Sequence, residues 1–274
     1  MSSLKELSAA RELTVNLTLR ELRGKYKRSV LGWAWSLLNP LATMLIFSVV
    51  FRFFLGVTVP TGDPSGLQNF AFFLLCGLLP WNLMANGIGG SMGVLIGNSN
   101  LIKKTYFPRE VLVAANVASW VVSLLIELAV LAIALMVAGN FALPWLVPVL
   151  FLVVIQTVFV TGIALTLSVL NVYFRDVQHL VGILLQLWFY ATPIVYPISV
   201  VKERADVLGV SVPLRTIYGL NPMVRLVEAY RDCLYDLRLP PAKDLGYLIV
   251  VAAVSLAVGL YAFNRLEPKL AEEL

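Results

Sequence analysis

Long apolar stretches without charged residues dominate the sequence, and short polar segments separate them. No Asp, Glu, Lys or Arg occurs in five intervals: 29–51, 64–102, 128–174, 177–201 and 245–264. A membrane-spanning helix needs about 20 mostly apolar residues, so each interval is long enough for one span and the longest for two. The apolar residues run continuously instead of alternating with polar ones, as the strands of a membrane β-barrel would. The pattern therefore predicts an all-α polytopic membrane protein with six transmembrane helices.

The polar segments set the expected boundaries. We predict cytoplasmic N-terminal and interfacial helices over 1–32, a transmembrane domain over 33–264 and a cytoplasmic tail over 265–274. Within the domain, the six spans are expected at about 33–57, 70–97, 111–138, 145–170, 180–197 and 245–263. In the second span, Gly89, Gly93 and Gly97 recur at every fourth position, a spacing that lets two membrane helices approach closely.

A basic segment before the first span is expected to be an amphipathic helix at the membrane interface. Residues 15–28 are read as this helix, after a short helix that a capping box at Ser3 and Glu6 would begin. Arg20, Arg23 and Lys27 fall on its polar face. The predicted apolar stripe, continued beyond the helix, is Val15, Leu19, Leu22, Tyr26, Val30 and Trp33.

The distribution of positive charge predicts that both termini are cytoplasmic. Of 21 Lys and Arg residues, 13 lie in the N-terminal segment, 98–110, 171–179 and the tail, which six spans place on one side. Positive residues are retained on the cytoplasmic side of a bilayer. Seven others lie between Lys202 and Lys243 on the opposite side and oppose this orientation, although nearby acidic residues nearly balance their charge.

Composition agrees with a membrane protein and excludes several functions. The 274-residue chain is 59% hydrophobic and 14% charged, with a mean hydropathy of +0.84. Its net charge of +5 flanks the apolar segments, which favours a membrane surface over nucleic acid. We expect no disulfide framework and no metal site from Cys76, Cys233 and His179, and no cleavable signal peptide. The sequence contains no G-x-x-x-x-G-K-[ST] phosphate-binding loop, and no nucleophile-and-base pattern of a hydrolase.

A few polar and aromatic residues inside the predicted spans are candidate functional groups. Glu127 lies deep in the third span and should face the bundle interior or a water-filled path. Trp188, Tyr190 and Tyr196 lie in the fifth span, where they either pack against lipid and protein or line a path for a sugar chain. Before the last span, Asn221 and Pro222 predict the start of an amphipathic helix that lies on the outer surface or dips into it.

Four motifs, in order, resemble the membrane subunit of ABC-2 polysaccharide exporters, the O-antigen, teichoic acid and galactan permeases. The first is RELRGKYKRSVLGWAWSLLNP at 20–40, and the second is NSNLIKKTYFPR at 98–109. The third is FRD at 174–176 followed by WFYATPIVYP at 188–197. The fourth is LNPM at 220–223, with Tyr230-Arg231 after it.

This resemblance implies a homodimer in the bacterial cytoplasmic (inner) membrane, joined by two copies of a separate ABC ATPase subunit that binds ATP and Mg²⁺. ATP is then hydrolysed by the partner subunit, and this chain is expected to be no enzyme and to carry no cofactor. In the family, the loop between spans 2 and 3 forms a coupling helix on the ATPase. Here the matching residues are Asn98, Leu101, Lys103, Lys104, Tyr106 and Phe107. Segment 200–237 matches the family's short re-entrant helices.

The implied substrate is a polysaccharide linked to a polyprenyl diphosphate. Arg23, Lys25, Lys27 and Arg28 are placed to meet the diphosphate, or only to attract anionic lipid, and the sequence leaves both open. Trp188, Tyr190, Tyr196 and Glu127 are the channel candidates. The alternatives are an ABC-2 exporter of a smaller lipid or drug, an ion-coupled carrier, and a membrane-bound transferase.

Overall fold

Helices make up almost all of the structure, a computed structural model that describes residues 4–25, 29–32, 34–105, 107–207 and 210–273. The α-helices are α1 (Leu4–Lys25), α2 (Ala34–Phe47), α3 (Phe70–Gly97), α4 (Ser99–Lys104), α5 (Glu110–Val137), α6 (Leu146–Tyr173), α7 (Val177–Tyr190), α8 (Leu214–Tyr218), α9 (Pro222–Arg231), α10 (Ala242–Leu266) and α11 (Leu270–Glu273). π-Helical turns continue α2 over Ser48–Phe54 and α9 over Asp232–Asp236. Short 3₁₀ turns lie at Leu143–Trp145, Ile198–Val200 and Glu267–Lys269.

A small antiparallel hairpin interrupts the helical structure between α7 and α8. Its strands are β1 (Ala205–Val207) and β2 (Val210–Val212), with Ala205 opposite Val212. The sequence analysis predicts only helices and loops in this region, so the hairpin is a local departure from the predicted all-α structure. It lies outside every apolar span.

Among the residues that the structure describes, five helical segments are long and apolar enough to cross a membrane. They are Leu37–Phe54, Phe70–Gly97, Glu110–Val137, Leu143–Tyr173 and Ala242–Leu266. The sixth apolar segment, α7, has 14 residues and is about 21 Å long, shorter than the ~30 Å hydrocarbon core of a bilayer. It ends at Tyr190, earlier than the predicted boundary at 197, because Thr192 precedes Pro193 and is disfavoured in helical geometry.

Successive apolar helices run in opposite directions between two ends of the bundle, which we call the α4 end and the α9 end. At the α4 end, Arg20 of α1 bonds Asn98 after α3, and Tyr173 of α6 bonds Leu266 of α10. At the α9 end, Asn69 before α3 bonds Tyr235. The C-terminal helix α11 lies at the α4 end, since it contacts α4 and α6.

α1 is one continuous helix that packs against α5, so the predicted break between a short first helix and a second one at 15 is wrong. Its predicted apolar stripe is also wrong in part. Leu17 and Leu22 are buried, whereas Val15 and Leu19 are exposed. The helix ends at Lys25, and Trp33 and Tyr26 lie outside the described residues. The buried face of α1 differs from the predicted one because α1 packs against α5.

The bundle is centred on α3, which contacts α5, α6 and α9. Side-chain amides join its backbone to α6: Gln156 donates to Pro80 O at 2.6 Å, and Asn171 donates to Met92 O at 2.9 Å. Because lipid supplies no hydrogen bonds, such bonds between helices hold membrane bundles together. Tyr230 of α9 extends this network by donating to Gln156 Oε1 at 3.0 Å.

The closest helix crossing involves α6 and α10. A Cβ added at Gly162 would collide with the backbone of Ser255, and one added at Gly259 would collide with the backbone of Gly162. The glycines predicted for close packing behave differently. Around Gly89, Gly93 and Gly97 an added Cβ would meet no described atom within 4 Å. That prediction is wrong within the single chain, because the faces of neighbouring helices, and not glycine spacing alone, decide where backbones meet.

Candidate functional site

The α4 end carries the predicted coupling segment as an exposed short helix. In α4, Ile102 is buried, Leu101 is half-buried, and Lys103 and Lys104 are exposed. The amide of Asn98 caps the preceding turn by donating to Val94 O at 2.8 Å, and its Oδ1 accepts from Arg20 Nη2 at 2.8 Å. The apolar side of α4 is therefore anchored against the bundle, and its two lysines face outward.

The C-terminal segment braces the other side of this loop. Arg109 donates through Nη1 to the carbonyl oxygen of Glu267 at 2.9 Å, and its Nε lies 3.8 Å from the carboxylate of the same residue. Arg109 and Glu267 line a surface groove of about 460 Å³, together with residues 102–105, half-buried Phe107 and exposed Pro108. Tyr106, also predicted for this contact, lies outside the described residues. The α4 end is thus one composite surface of α4, α11 and the residues between α4 and α5.

The predicted cationic cluster is divided by the structure. Arg23 is exposed and lines a shallow groove with Asn16 and Arg20 on the outside of α1. Lys25 points inward, with its Nζ 3.3 Å from the centre of the Trp120 ring. Burial lowers the pKa of Lys25 to about 7, with the carboxylates of Glu21 and Glu127 acting in the opposite direction. Lys27 and Arg28 lie outside the described residues.

Glu127 lies close to Lys25 and not with the other channel candidates. Both line a cavity of about 360 Å³ formed by the end of α1, the start of α2 and the middles of α3 and α5, here called the α1–α5 pocket. Its other lining residues are Trp35, Asn39, Pro40, Asn82, Leu83, Asn86, Trp120, Ser123 and Leu124. The expectation that Glu127 faces the interior or a polar path is confirmed by this position.

The aromatic candidates cluster near the α9 end of α7. Trp188 and Phe189 pack edge-on against Trp81 of α3, with ring centres 6.5 and 5.5 Å away, and Phe189 stacks on Phe47 of α2. The hydroxyl of Tyr196 donates to Tyr190 O at 2.8 Å. The rings of Trp188 and Phe189 therefore connect α7 to α3, and the ring of Phe189 also connects it to α2.

Tyr190 differs from these rings because its side chain is largely exposed. Tyr196 is half-buried, and its hydroxyl lies 2.7 Å from that of Tyr218 in α8. These two tyrosines are therefore the aromatic channel candidates whose polar atoms lie nearest to an open surface.

A buried arginine fixes the segment before the last helix. Its burial is not predicted from the sequence. Arg231 is 3% exposed and donates to Pro193 O at 2.6 Å and Ile194 O at 2.7 Å. It also pairs with Glu228 at 2.8 Å and lies over the ring of Phe73 at 3.6 Å. Burial lowers the pKa of the guanidinium, and Glu228 acts against that shift.

The predicted start of α9 is confirmed, and the helix dips into the end of the bundle, which is one of the two positions predicted for it. Asn221 caps the helix by accepting from Met223 N at 3.0 Å, with Pro222 in the first turn. Met223, Tyr230 and the residues between them on the same face are buried against the bundle. The segment lies inside the α9 end because Arg231 satisfies the carbonyls left free where α7 ends.

Comparison with known proteins gives one consistent result. The O-antigen export system permease protein RfbA of Myxococcus xanthus is 32% identical over 271 residues, covering 99% of this chain and 98% of the relative. A Klebsiella pneumoniae protein of the same name is 31% identical over 264 residues, covering 96% and 95%. The polysialic acid transport protein KpsM of Escherichia coli is 24% identical over 253 residues, covering 92% of each. The family model described as ABC-2 type transporter matches residues 12–235, so the chain belongs to the ABC-2 type transporter family.

Proposed function

We propose that this chain is the channel-forming subunit of an ATP-driven exporter that moves a polyprenyl-diphosphate-linked polysaccharide across the bacterial inner membrane. It acts as a homodimer of six-span subunits, with both termini in the cytoplasm and α7 as the short fifth span. Two copies of a separate ABC ATPase bind ATP and Mg²⁺ and hydrolyse the nucleotide. The names of the relatives, which export O-antigen or transport polysialic acid, support a polysaccharide cargo.

The composite surface at the α4 end is the observation that carries the proposal. A motor outside the membrane needs a rigid, exposed element connected to the spans, and α4 is a short helix fixed between α3 and α5. Lys103 and Lys104 offer charges for an acidic partner surface, and Arg109 ties the segment to the chain's C-terminal residues. The sequence has no phosphate-binding loop of its own, which agrees with a separate ATPase.

The docking test reverses the exposed charges of α4. We expect K103E/K104E, alone or with Y106A, to abolish co-purification of the ATPase subunit and its stimulation by the permease. The matched control is R215E, which reverses a half-exposed arginine at the α9 end. Normal co-purification and stimulation of the α4 variants would reject α4 as the coupling element, whereas loss in R215E as well would point to general misfolding.

The exposed basic face of α1 is the proposed contact for the lipid diphosphate. Arg23 lies on the exposed side of α1, and Lys27 and Arg28 follow it in the sequence. We expect charge reversal of these three residues to abolish export while ATPase stimulation is retained, because binding of the anionic head group is lost and docking is not. Unchanged export would reject this role and leave general attraction to anionic lipid as the explanation for the charges.

The segment between α7 and α10 completes the proposal as the re-entrant element at the outer exit. α9 is buried in the α9 end and hydrogen-bonded to the end of α7, so a movement of α7 would reach it directly. Tyr190 and Tyr196 are the proposed aromatic contacts of the passing glycan. Impermeant labelling of cysteines placed at Lys104 and Lys202 tests the orientation, and labelling of residue 104 from the periplasmic side would overturn it.

A further inference from the structure

The α1–α5 pocket brings several polar side chains together among apolar helices. Trp120 is ten residues beyond the start of α5, and Asn86 is eleven residues before the end of α3, so both lie about 15 Å from the α4 end. The cavity volume of about 360 Å³ lies within the range of roughly 300–1,000 Å³ that is typical of small-ligand sites. Its walls come from four helices, whereas the surface grooves on α1 are lined by residues of that helix alone.

Unpaired polar groups point to a polar occupant. Lys25 Nζ is inaccessible to solvent and has no hydrogen-bond partner among the described residues, although it lies over the Trp120 ring. One face of the ammonium group is thus satisfied by the ring, and its remaining N–H bonds are available to a molecule in the pocket. A buried donor without a partner is unfavourable, so a ligand with oxygen acceptors would stabilise this arrangement.

The charges in the pocket favour a neutral molecule. Lys25 and Glu127 are the ionisable residues that line it, and together they can offer hydrogen-bond donors and acceptors. Burial disfavours the charged form of Lys25, so the pocket offers a diphosphate little net attraction. A molecule with both donors and acceptors would instead pair with both groups.

The remaining lining groups match a sugar ring. Asn39, Asn82 and Asn86 bring three amides, each with donors and an acceptor, and Ser123 adds a hydroxyl. Trp35 is part of the same wall and keeps an exposed indole surface, onto which the C–H face of a pyranose can pack. Amides around the rim and an aromatic face suit a ring that carries hydroxyl groups at its edge.

We propose that the α1–α5 pocket binds one sugar ring of the lipid-linked glycan, separately from the diphosphate contact on the exposed face of α1. This inference rests on the proposed function, since it assigns part of that cargo to a site. Lys25, Glu127 and Asn86 hydrogen-bond the ring hydroxyls, and Trp35 packs against its face. The pocket would then distinguish a glycosylated carrier from a bare one before the chain is moved.

Binding measurements on the permease–ATPase complex in nanodiscs test this inference. The probes are an undecaprenyl-diphosphate-linked disaccharide, bare undecaprenyl diphosphate and the free disaccharide. We expect the wild-type complex to bind the linked disaccharide about tenfold or more tightly than the bare carrier. N86A should weaken binding of the linked disaccharide about fivefold, the size expected for one lost hydrogen bond, without changing the bare carrier. E127Q should weaken it by up to a similar factor, because an amide is a weaker acceptor than a carboxylate.

The controls separate the possible sources of a change. T161V removes a hydroxyl from α6 that bonds within its own helix, away from the pocket, and should bind all probes as the wild type does. Free disaccharide should bind weakly and be affected by the same two variants. Asn86 has an exposed side chain, so N86A is not expected to lower the melting temperature. If E127Q destabilises the protein, N86A alone still tests the inference.

Three results would overturn the inference. Equal weakening of both lipid probes would assign the pocket to the diphosphate, and wild-type affinity in both variants would leave it filled by water only. Equal affinity of the wild type for the two lipid probes would reject sugar recognition. If the wild-type complex bound neither lipid probe and transported nothing with ATP, the proposed function itself would fail, an outcome distinct from these three.

Discussion

The helices α2 and α3 are neighbours and similarly apolar, yet they are packed very differently. In the most apolar stretch of α3, 72% of the residues are buried, against 6% in the span formed by α2 and its π-helical turn. α7 resembles α2, since only Val181 of its residues is buried. We therefore distinguish a frame, formed by α3, α5, α6, α9 and α10, from two peripheral helices, α2 and α7.

This difference in packing indicates which helices can move at a small cost in free energy. A packed helix loses many dispersion contacts and several interhelical hydrogen bonds when it shifts, whereas a helix with an exposed apolar face exchanges one apolar neighbour for another. α2 and α7 are joined through Phe47 and Phe189, so they can move together against the frame. A channel between two subunits would be opened by such peripheral helices and not by the frame.

The largest expected effect is the loss of the arginine that closes the α9 end of the frame. R231M leaves two buried carbonyls and Glu228 without their cation, and we expect it to lower the free energy of unfolding by about 3–5 kcal/mol. The measurement is thermal unfolding in detergent. R215M is the control, with a change of less than about 1 kcal/mol, because the Arg215 side chain is half-exposed and its contact with Glu203 is 3.7 Å. Similar losses in both variants would contradict the distinction.

A second effect concerns the crossing of α6 and α10. We expect G162A to destabilise the protein by about 1–3 kcal/mol, because the added methyl group collides with the backbone at Ser255 and the helices must separate. G93A adds the same methyl group where no described atom lies within 4 Å, and should leave stability unchanged or slightly raised by its helix propensity. If G93A were the more damaging variant in a purified single subunit, the assignment of the close crossing would be wrong.

The contrast between these two glycines shows what the sequence could predict. Apolar length alone located the five long helices within a few residues, and Asn221-Pro222 located the start of α9, because both signals are local. Gly93 and Gly162 are both small residues in apolar helices, and only the neighbouring helix distinguishes them. Spacing along one helix therefore predicts a capacity for close packing, not its place.

Charged residues show the same limit. Arg231 is identified from sequence only as part of the fourth motif, but it is buried because the chain turn at Pro193 and Ile194 provides carbonyl acceptors. Lys25 is read as one of four similar cations, but it enters a pocket formed with α5. The carbonyl acceptors of Arg231 and the Trp120 ring beside Lys25 lie at least 37 positions away in the chain, so no local pattern reports these contacts.

A smaller effect is expected at the link between α7 and the frame. Asn221 accepts from Trp188 Nε1 at 2.8 Å and from Met223 N, and its amide donates to Ala191 O at 3.2 Å. N221A should cost about 1–2 kcal/mol, mainly through loss of the helix cap. Hydrogen exchange should accelerate in α7 and the first turn of α9 while α3 and α6 remain protected. N16A, on the exposed side of α1, is the control and should change neither region.

The smallest effect should come from the exposed face of α2, and it gives the sharpest contrast with α3. L45A and L74A delete the same atoms from neighbouring helices, but Leu45 is 62% exposed and Leu74 is 0% exposed. We expect L74A to cost about 2–5 kcal/mol and L45A to stay within about 0.5 kcal/mol, measured by unfolding of the monomeric fraction in detergent. If this face meets a second copy, L45A should lower the dimeric fraction without changing monomer stability. A loss in the L45A monomer equal to that of L74A would place α2 in the frame, and the two classes of helix would then have no energetic basis.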